Sequence, residues 1–316
     1  MSASVDLSVD FAGLTLRSPL VAASGTCGWG HELARIEGFA LELLGAIVLK
    51  STTREPRGGN PIPRVVEAAG GAGLINSIGL ANPGVEAVCR EVLPRLEDCP
   101  AAVIANVAGT RPQDYCETAR RLADSPAVAA VEVNISCPNV ERGGMEFGAR
   151  PDGAAQVIEA VRGAVEKPLV AKLTPNVAAI GPIAKACIEA GADALSLTNT
   201  YRALAIDVAT RRPVLGANFG GLSGPAIKPL SLFQVHQAYQ VAGPAGVPLL
   251  GGGGIVSGSD ALEFVLAGAT AFFVGTLLLR EATACARLLD ELGSLVVAQG
   301  QRRLAPLVGA LELHEA

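Results

Sequence analysis

Short apolar runs alternate with longer amphipathic stretches along almost the whole chain. The runs occupy 19–23, 45–49, 101–105, 128–133, 168–171, 194–197, 247–250 and 270–274. Each is too short for a typical helix and rich in Val, Ile, Leu or Ala, which reads as a strand buried on both faces. Between them, helical spacing recurs at 85–96, 112–123, 154–165, 177–190, 230–241, 259–267 and 277–289. Strand–helix alternation without a long linker implies a parallel sheet covered by helices. Eight such runs in one chain of 316 residues predict an α/β fold, a closed (β/α)8 barrel, with 1–316 as a single domain. An open doubly wound sheet is the competitor. The barrel is preferred because no early G-x-G-x-x-G turn occurs and because polar residues follow every run.

Those polar endings are Ser24-Gly25, Lys50-Ser51, Asn106, Asn134, Lys172, Thr198-Asn199-Thr200, the glycines at 251–254, and Gly275-Thr276. In a barrel they form one ring at the C-terminal face, where catalytic groups sit. Two connections are unusually long and glycine-rich, 52–84 and 201–229, and are expected to overhang that face as lids or binding loops.

The fourth run ends in Asn134-Ile135-Ser136-Cys137-Pro138-Asn139. Amides grip a polar ring through paired donors and acceptors, and a thiolate can take a proton. A lone cysteine is more often a buried structural thiol; here the flanking amides favour chemistry. Glycine loops after the last two strands suit a phosphate held by bare backbone N–H groups, although tight turns alone would explain either loop. Lys50 and Lys172 end buried runs, where they could hold anionic ligand atoms or stabilise a reduced flavin. Schiff-base chemistry at Lys172 in a barrel aldolase is the rival, and plain snorkelling the bland alternative. Asn76, Asn106, Asn134, Asn139 and Asn199 are each ordinary turn residues, but together they could ring a planar ligand.

Composition narrows the field. A formal charge of −5 argues against nucleic acid as a partner. Half the residues are hydrophobic, yet no uncharged apolar run is long enough for a membrane span. Residues 1–10 carry Asp6 and Asp10 and no basic segment, so no signal peptide is expected. The seven cysteines, at 27, 89, 99, 116, 137, 187 and 285, include no C-x-x-C pair, which disfavours a disulfide framework, a zinc site or an iron–sulfur cluster in this chain. The three histidines, His31, His236 and His314, avoid the strand ends, so neither a histidine-based triad nor a metal site is expected. Cys27, in Ser24-Gly25-Thr26-Cys27-Gly28, is a second thiol near the ring with a weaker claim to be a base.

The chain resembles the class 1 dihydroorotate dehydrogenases, most closely the catalytic subunit of the NAD-linked class 1B enzyme, over nearly its whole length to about residue 290. The resemblance is carried by Ala22-Ala23-Ser24-Gly25, Leu49-Lys50-Ser51-Thr52-Thr53, Asn76-Ser77-Ile78-Gly79-Leu80, Asn82-Pro83-Gly84 and Ala105-Asn106-Val107-Ala108-Gly109. It continues through the motif at 134–139, Ala171-Lys172-Leu173-Thr174-Pro175-Asn176, Asn199-Thr200, Gly220-Gly221-Leu222-Ser223-Gly224-Pro225 and Val274-Gly275-Thr276.

The resemblance implies a cytoplasmic FMN barrel that oxidises (S)-dihydroorotate to orotate in pyrimidine biosynthesis. Cys137 would take the C5 proton while hydride leaves C6 for FMN. It implies FMN held by Ser24, Lys50, Ser51, Asn106, Asn134, Lys172, Thr198, Gly224, Gly253, Gly254, Gly275 and Thr276. Substrate would be held by Lys50, Asn76, Ser77, Ile78, Gly79, Leu80, Asn134, Asn199 and Thr200. It also implies a homodimer, or a heterotetramer with a partner subunit carrying FAD and an iron–sulfur cluster that delivers electrons to NAD. The chain departs from the family pattern at 251–254, four glycines where Gly-Met-Gly-Gly is common, and at 201–204, which lacks the expected Gly and Met. A fumarate-using class 1A enzyme and a dihydropyrimidine-oxidising relative are the alternatives within flavin chemistry; a binding or assembly barrel without activity is a further one.

Overall fold

The computed structural model describes residues 5–136 and 147–314. Cys137 and Asn139 therefore lie outside the described residues. Among the described residues the eight apolar runs form a closed parallel barrel: β1 (Leu20–Ala22), β2 (Ala46–Val48), β3 (Ala102–Val107), β4 (Val128–Asn134), β5 (Leu169–Lys172), β6 (Ala194–Leu197), β7 (Leu249–Gly251) and β8 (Ala271–Val274). Neighbours follow chain order. Ring closure is made by β8 on β1, from Phe272↔Leu20 to Val274↔Ala22. Nearly every strand residue is buried, because parallel strands have one face on the barrel interior and the other beneath helices.

The outer layer comprises α1 (Pro112–Ala123), α2 (Pro151–Arg162), α3 (Gly181–Glu189), α4 (Lys228–Ala242), α5 (Gly258–Leu266), α6 (Thr276–Arg280) and α7 (Ala284–Ala298). In α1, Tyr115, Ala119 and Leu122 recur at helical spacing and are buried. Pro112 starts that helix where a missing N–H costs nothing, and the Asp114 carboxylate accepts the Arg111 N–H at 3.1 Å.

Three departures from the expected pattern have local causes. The β1–β2 connection carries only two short 3-10 turns, Leu33–Arg35 and Leu41–Leu43. The stretch 85–96 is a broken helix: an α turn at Val85–Ala87, a π segment at Val88–Val92 and a 3-10 turn at Leu93–Leu96. Pro94 lacks the N–H and the space for a regular α turn there. The stretch 277–289 divides into α6 and α7. The first holds the end of β8 at the barrel mouth; the second packs outside against α5, so close that a Cβ on Gly258 would lie 2.5 Å from the Leu292 nitrogen. One straight rod cannot do both.

Three small sheets lie outside the barrel, one of them a short hairpin pairing Ile206–Asp207 with Arg212–Pro213. An antiparallel hairpin, Val9–Phe11 with Leu14–Leu16, turns at Ala12 and Gly13, both at positive φ. It lines a recess with Asp193, Val247, Pro248 and Thr270, which precede β6, β7 and β8, and so it sits at the N-terminal end of the barrel. At the opposite end the two long loops join. Their strands form one antiparallel sheet in the order Tyr201–Ala203, Gly220–Ser223, Leu74–Asn76, Val65–Glu67. The junction between loops is the register Asn76↔Gly221 to Leu74↔Ser223. No helix among the described residues is long and apolar enough to cross a membrane.

Candidate active site

The strand ends and the two joined loops enclose a cavity of about 450 Å³. Of the residues that the resemblance assigns to FMN or substrate, Ser24, Lys50, Ser51, Asn134, Lys172, Thr198, Gly224, Gly253, Gly254, Gly275 and Thr276 line it. So do Asn76, Ser77, Ile78, Gly79, Leu80, Asn199 and Thr200 from the loops and β6. Asn106 does not line it; it is buried in the barrel interior, beneath that ring.

Each side chain has a reason for its position. At the end of β1, the Ser24 hydroxyl donates to the Leu49 carbonyl at 2.8 Å, tying the first two strand ends together. Gly25, at φ +84°, leaves room for the Lys50 amine, which would lie 3.5 Å from a Cβ there. Asn134 has both ends of its amide engaged: Nδ2 donates to Ser51 Oγ at 3.4 Å, and Oδ1 accepts from Ser136 Oγ at 2.6 Å and Ser136 N at 3.2 Å. Ser136 Oγ in turn accepts from Asn199 Nδ2. A hydrogen-bonded chain thus runs Asn199–Ser136–Asn134 from β6 to β4, up to the residue that immediately precedes Cys137 in sequence.

The glycine-rich side is built for close backbone approach. A Cβ on Gly254, at φ +89°, would sit 2.8 Å from the Gly224 oxygen and 3.0 Å from the Lys228 nitrogen. Its loop is pinned from outside by Asp260, whose carboxylate accepts the Val256 and Ser257 N–H groups, each at 2.9 Å, and the Lys228 ammonium at 2.6 Å. Burial alone would raise the Asp260 carboxyl, but Lys228, the Val256 amide and Ser257 together hold it below the usual range. Thr276 Oγ1 donates to Ser223 Oγ at 2.8 Å, linking the end of β8 to the loop sheet.

Charge in the cavity is one-sided. Lys50, Lys172, Arg202 and Arg280 line it, and no Asp or Glu does among the described residues. Such walls favour an anionic ligand. Beneath them, Lys172 pairs with Glu132 at 3.6 Å and lies 5.9 Å from the centre of the Phe273 ring. An amine seated against a buried carboxylate is placed as an electrostatic group, which weighs against the Schiff-base reading of Lys172.

Cys27 is not placed for acid–base work. It is 1% exposed, its Sγ donates to the Val48 carbonyl at 3.0 Å, and burial pushes its pKa up to about 12. Several site residues were missed. Asn60 donates to Ser77 Oγ at 2.8 Å and braces the 76–80 segment. Asn176 Nδ2 donates to the Thr200 carbonyl at 3.1 Å and its Oδ1 accepts the Arg202 N–H at 2.8 Å. Asn60 sits within a polar loop, where nothing in the pattern distinguishes it; Asn176 closes the motif that begins at Ala171, a visible signal to which no role is attached. Glu132 has a visible signal in the sequence, a lone acid within the apolar run 128–133.

The donor set suits a flavin. Among the described residues, Asn106 Oδ1 has no partner, an acceptor buried in the barrel interior. The glycine cradles and the surplus of cations match a phosphate and a ring that gathers negative charge.

Comparisons with known proteins agree. The family model for dihydroorotate dehydrogenase matches residues 6–296. A protein of Pelobacter propionicus named "Dihydroorotate dehydrogenase B (NAD(+)), catalytic subunit" is 48% identical over 307 residues, 97% of this chain and 99% of its own length. Relatives with the same name from Desulforudis audaxviator and Geobacter sulfurreducens are 49% and 47% identical, covering 97% and 98% of this chain and 97% and 99% of their own.

Proposed function

The chain belongs to the dihydroorotate dehydrogenase family, and from that premise we propose that it oxidises (S)-dihydroorotate to orotate in pyrimidine biosynthesis as the catalytic subunit of an NAD-linked enzyme. The observation that carries this reading is the cavity into which the strand ends converge, lined by four cations and, among the described residues, by no carboxylate. Dihydroorotate is an anion with a ring of alternating C=O and N–H groups. It asks for cations and amides together.

Ser24, Lys50, Ser51, Asn106, Asn134, Lys172, Thr198, Gly224, Gly253, Gly254, Gly275 and Thr276 would hold FMN, and the glycine loops would suit its phosphate. When bound, FMN supplies the acceptor for hydride from C6. Lys50 and Lys172 offset the negative charge that accumulates beside them. Asn76, Ser77, Ile78, Gly79, Leu80, Asn134, Asn199 and Thr200, together with Lys50, orient the substrate ring. Cys137 accepts the C5 proton. A thiol suits this task because its ordinary pKa lies far nearer neutrality than that of an alcohol. The fixed Ser136 hydroxyl, held between Asn134 and Asn199, anchors the segment that leads to it.

The relatives' names, a catalytic subunit of an NAD(+) enzyme, favour class 1B over the fumarate-using class 1A. A partner subunit with FAD and an iron–sulfur cluster then carries electrons to NAD, in a heterotetramer built on a homodimer of this chain, in the cytoplasm. Residues 1–316 form a single FMN-binding domain. In support, the barrel strands span Leu20–Val274 and the segment after α7 returns to bury Leu304 and Leu307.

Anaerobic stopped-flow absorbance of the FMN-reconstituted chain tests the reading. Bleaching of the flavin band by dihydroorotate is expected. A yellow protein that dihydroorotate leaves oxidised would reject the substrate, and a chain that takes up no FMN would reject the flavin.

A further inference from the structure

We propose that Glu132 is a positioning residue for the flavin: it fixes the Asn106 amide with its oxygen turned away from the carboxylate as an acceptor, and it counterbalances the charge of Lys172. The inference rests on the reading that this chain binds FMN.

Glu132 is 1% exposed, in the interior of the barrel. Acids are almost never so buried unless paired. Its strand β4 lies between β3 and β5; Asn106 is its register partner on β3, and Lys172 stands level with Asn134 on β5. One carboxylate oxygen, Oε1, accepts from Asn106 Nδ2 at 2.5 Å and faces Lys172 Nζ at 3.6 Å. A carboxylate only accepts hydrogen bonds. The amide of Asn106 is therefore locked with its NH2 toward Glu132 and its Oδ1 away. That oxygen is buried and has no partner among the described residues.

Stability does not account for such an arrangement. An apolar trio of similar volume would be at least as stable as a buried ion pair beside an orphaned acceptor. A ligand does account for it. The pyrimidine edge of a flavin presents one N–H between two carbonyls, and the protein side offers one locked acceptor, Asn106 Oδ1, and one locked donor, Lys172. Without Glu132 the amide could turn over and present NH2 to the ring N–H, donor against donor.

The two roles separate experimentally. Glu132→Gln removes the charge and frees the amide to turn. FMN affinity should fall about tenfold, the worth of one net hydrogen bond. The flavin midpoint potential should rise, because Lys172 then acts unopposed on the reduced ring. Glu132→Asp keeps the charge but withdraws the oxygen from Asn106, so affinity should fall while the potential stays near that of the wild type.

The test uses the full chain: FMN titration by fluorescence quenching, dye-equilibrated potentiometry, and circular dichroism to check folding. Wild-type chain is titrated first; failure there to bind FMN sinks the flavin reading. With wild type binding, folded Glu132→Gln with weaker affinity and a raised potential supports the proposal. Unchanged affinity and potential, even with lowered thermal stability, overturns it. If Glu132→Gln does not fold, Glu132→Asp decides: weakened binding supports the assignment, and wild-type binding refutes it.

Discussion

At the scale of single residues, burial sets three of the described thiols apart. Cys27, Cys187 and Cys285 are buried, and burial raises the first two to about 12 and the third to about 11. A group whose neutral form is favoured to that extent does not form thiolate near pH 8. Alkylation by iodoacetamide at pH 8 followed by peptide mass mapping should leave these three unmodified in the native protein and label them after denaturation. Cys27→Ala should keep dihydroorotate-dependent flavin reduction within about threefold, since catalytic losses from a missing general base are far larger. Cys137→Ala should retain FMN yet slow flavin reduction by about 10²–10⁴-fold, the usual contribution of a positioned base. Cys137→Ser should recover part of that rate as pH rises. Equal rates for wild type and both Cys137 variants in stopped-flow absorbance would remove Cys137 from the mechanism.

Individual elements show where local geometry is held in place. The loop after β7 is shaped by Gly254 and tethered by Asp260 at the start of α5, where Ser257 and Asp260 cap one another. Gly254→Ala is expected to weaken FMN binding at least tenfold, because its Cβ cannot coexist with the Gly224 oxygen at 2.8 Å and the backbone conformation is strained for alanine. Isothermal titration with FMN checks this. Asp260 has a pH signature. Its carboxyl is held below the ordinary value in the folded state, so the folded state releases that proton more readily than the unfolded chain. Its contribution is fully present above about pH 4, the unfolded value, and is lost as pH falls through the lower folded value. Asp260→Asn should therefore lower the melting temperature at pH 7, and the gap to wild type should shrink toward pH 3. A gap independent of pH would mean the carboxylate charge is immaterial.

At the scale of the whole molecule, the two long loops become one lid because their strands pair at Asn76↔Gly221. Gly220 permits this: a Cβ there would lie 2.6 Å from the Asn76 oxygen across the junction. Gly220→Val should separate the two halves of the lid and raise the KM for dihydroorotate, with FMN retained; an unchanged KM in steady-state assays would show that the sheet does not shape the substrate site. The chain has neither a cysteine cluster nor a nicotinamide fingerprint in its sequence. Purified alone, it should bleach with dihydroorotate but reduce NAD slowly, with the full rate restored on adding the FAD and iron–sulfur subunit. Rapid NAD reduction by the isolated chain would dismiss the partner.

The sequence by itself determined the barrel and most of the ring at its mouth, Asn106, buried beneath that ring, being the exception. Strand ends in a parallel barrel all point one way, so Ser24, Lys50, Asn134, Lys172 and Gly275 converge once the eight runs are counted. Hydrophobic period and polar strand endings are local properties, and local properties are legible. The tertiary structure alone decided which partners those groups take. Glu132 is one acid in an apolar run until β3 and β5 bring Asn106 and Lys172 beside it. The lid sheet joins residues 145 positions apart, as in Asn76 Nδ2 to the Gly221 carbonyl. Cys27 and Cys137 both follow barrel strands. Burial of the first against Val48 is what disqualifies it, and burial is set by the packing of the whole fold rather than by neighbours in the chain.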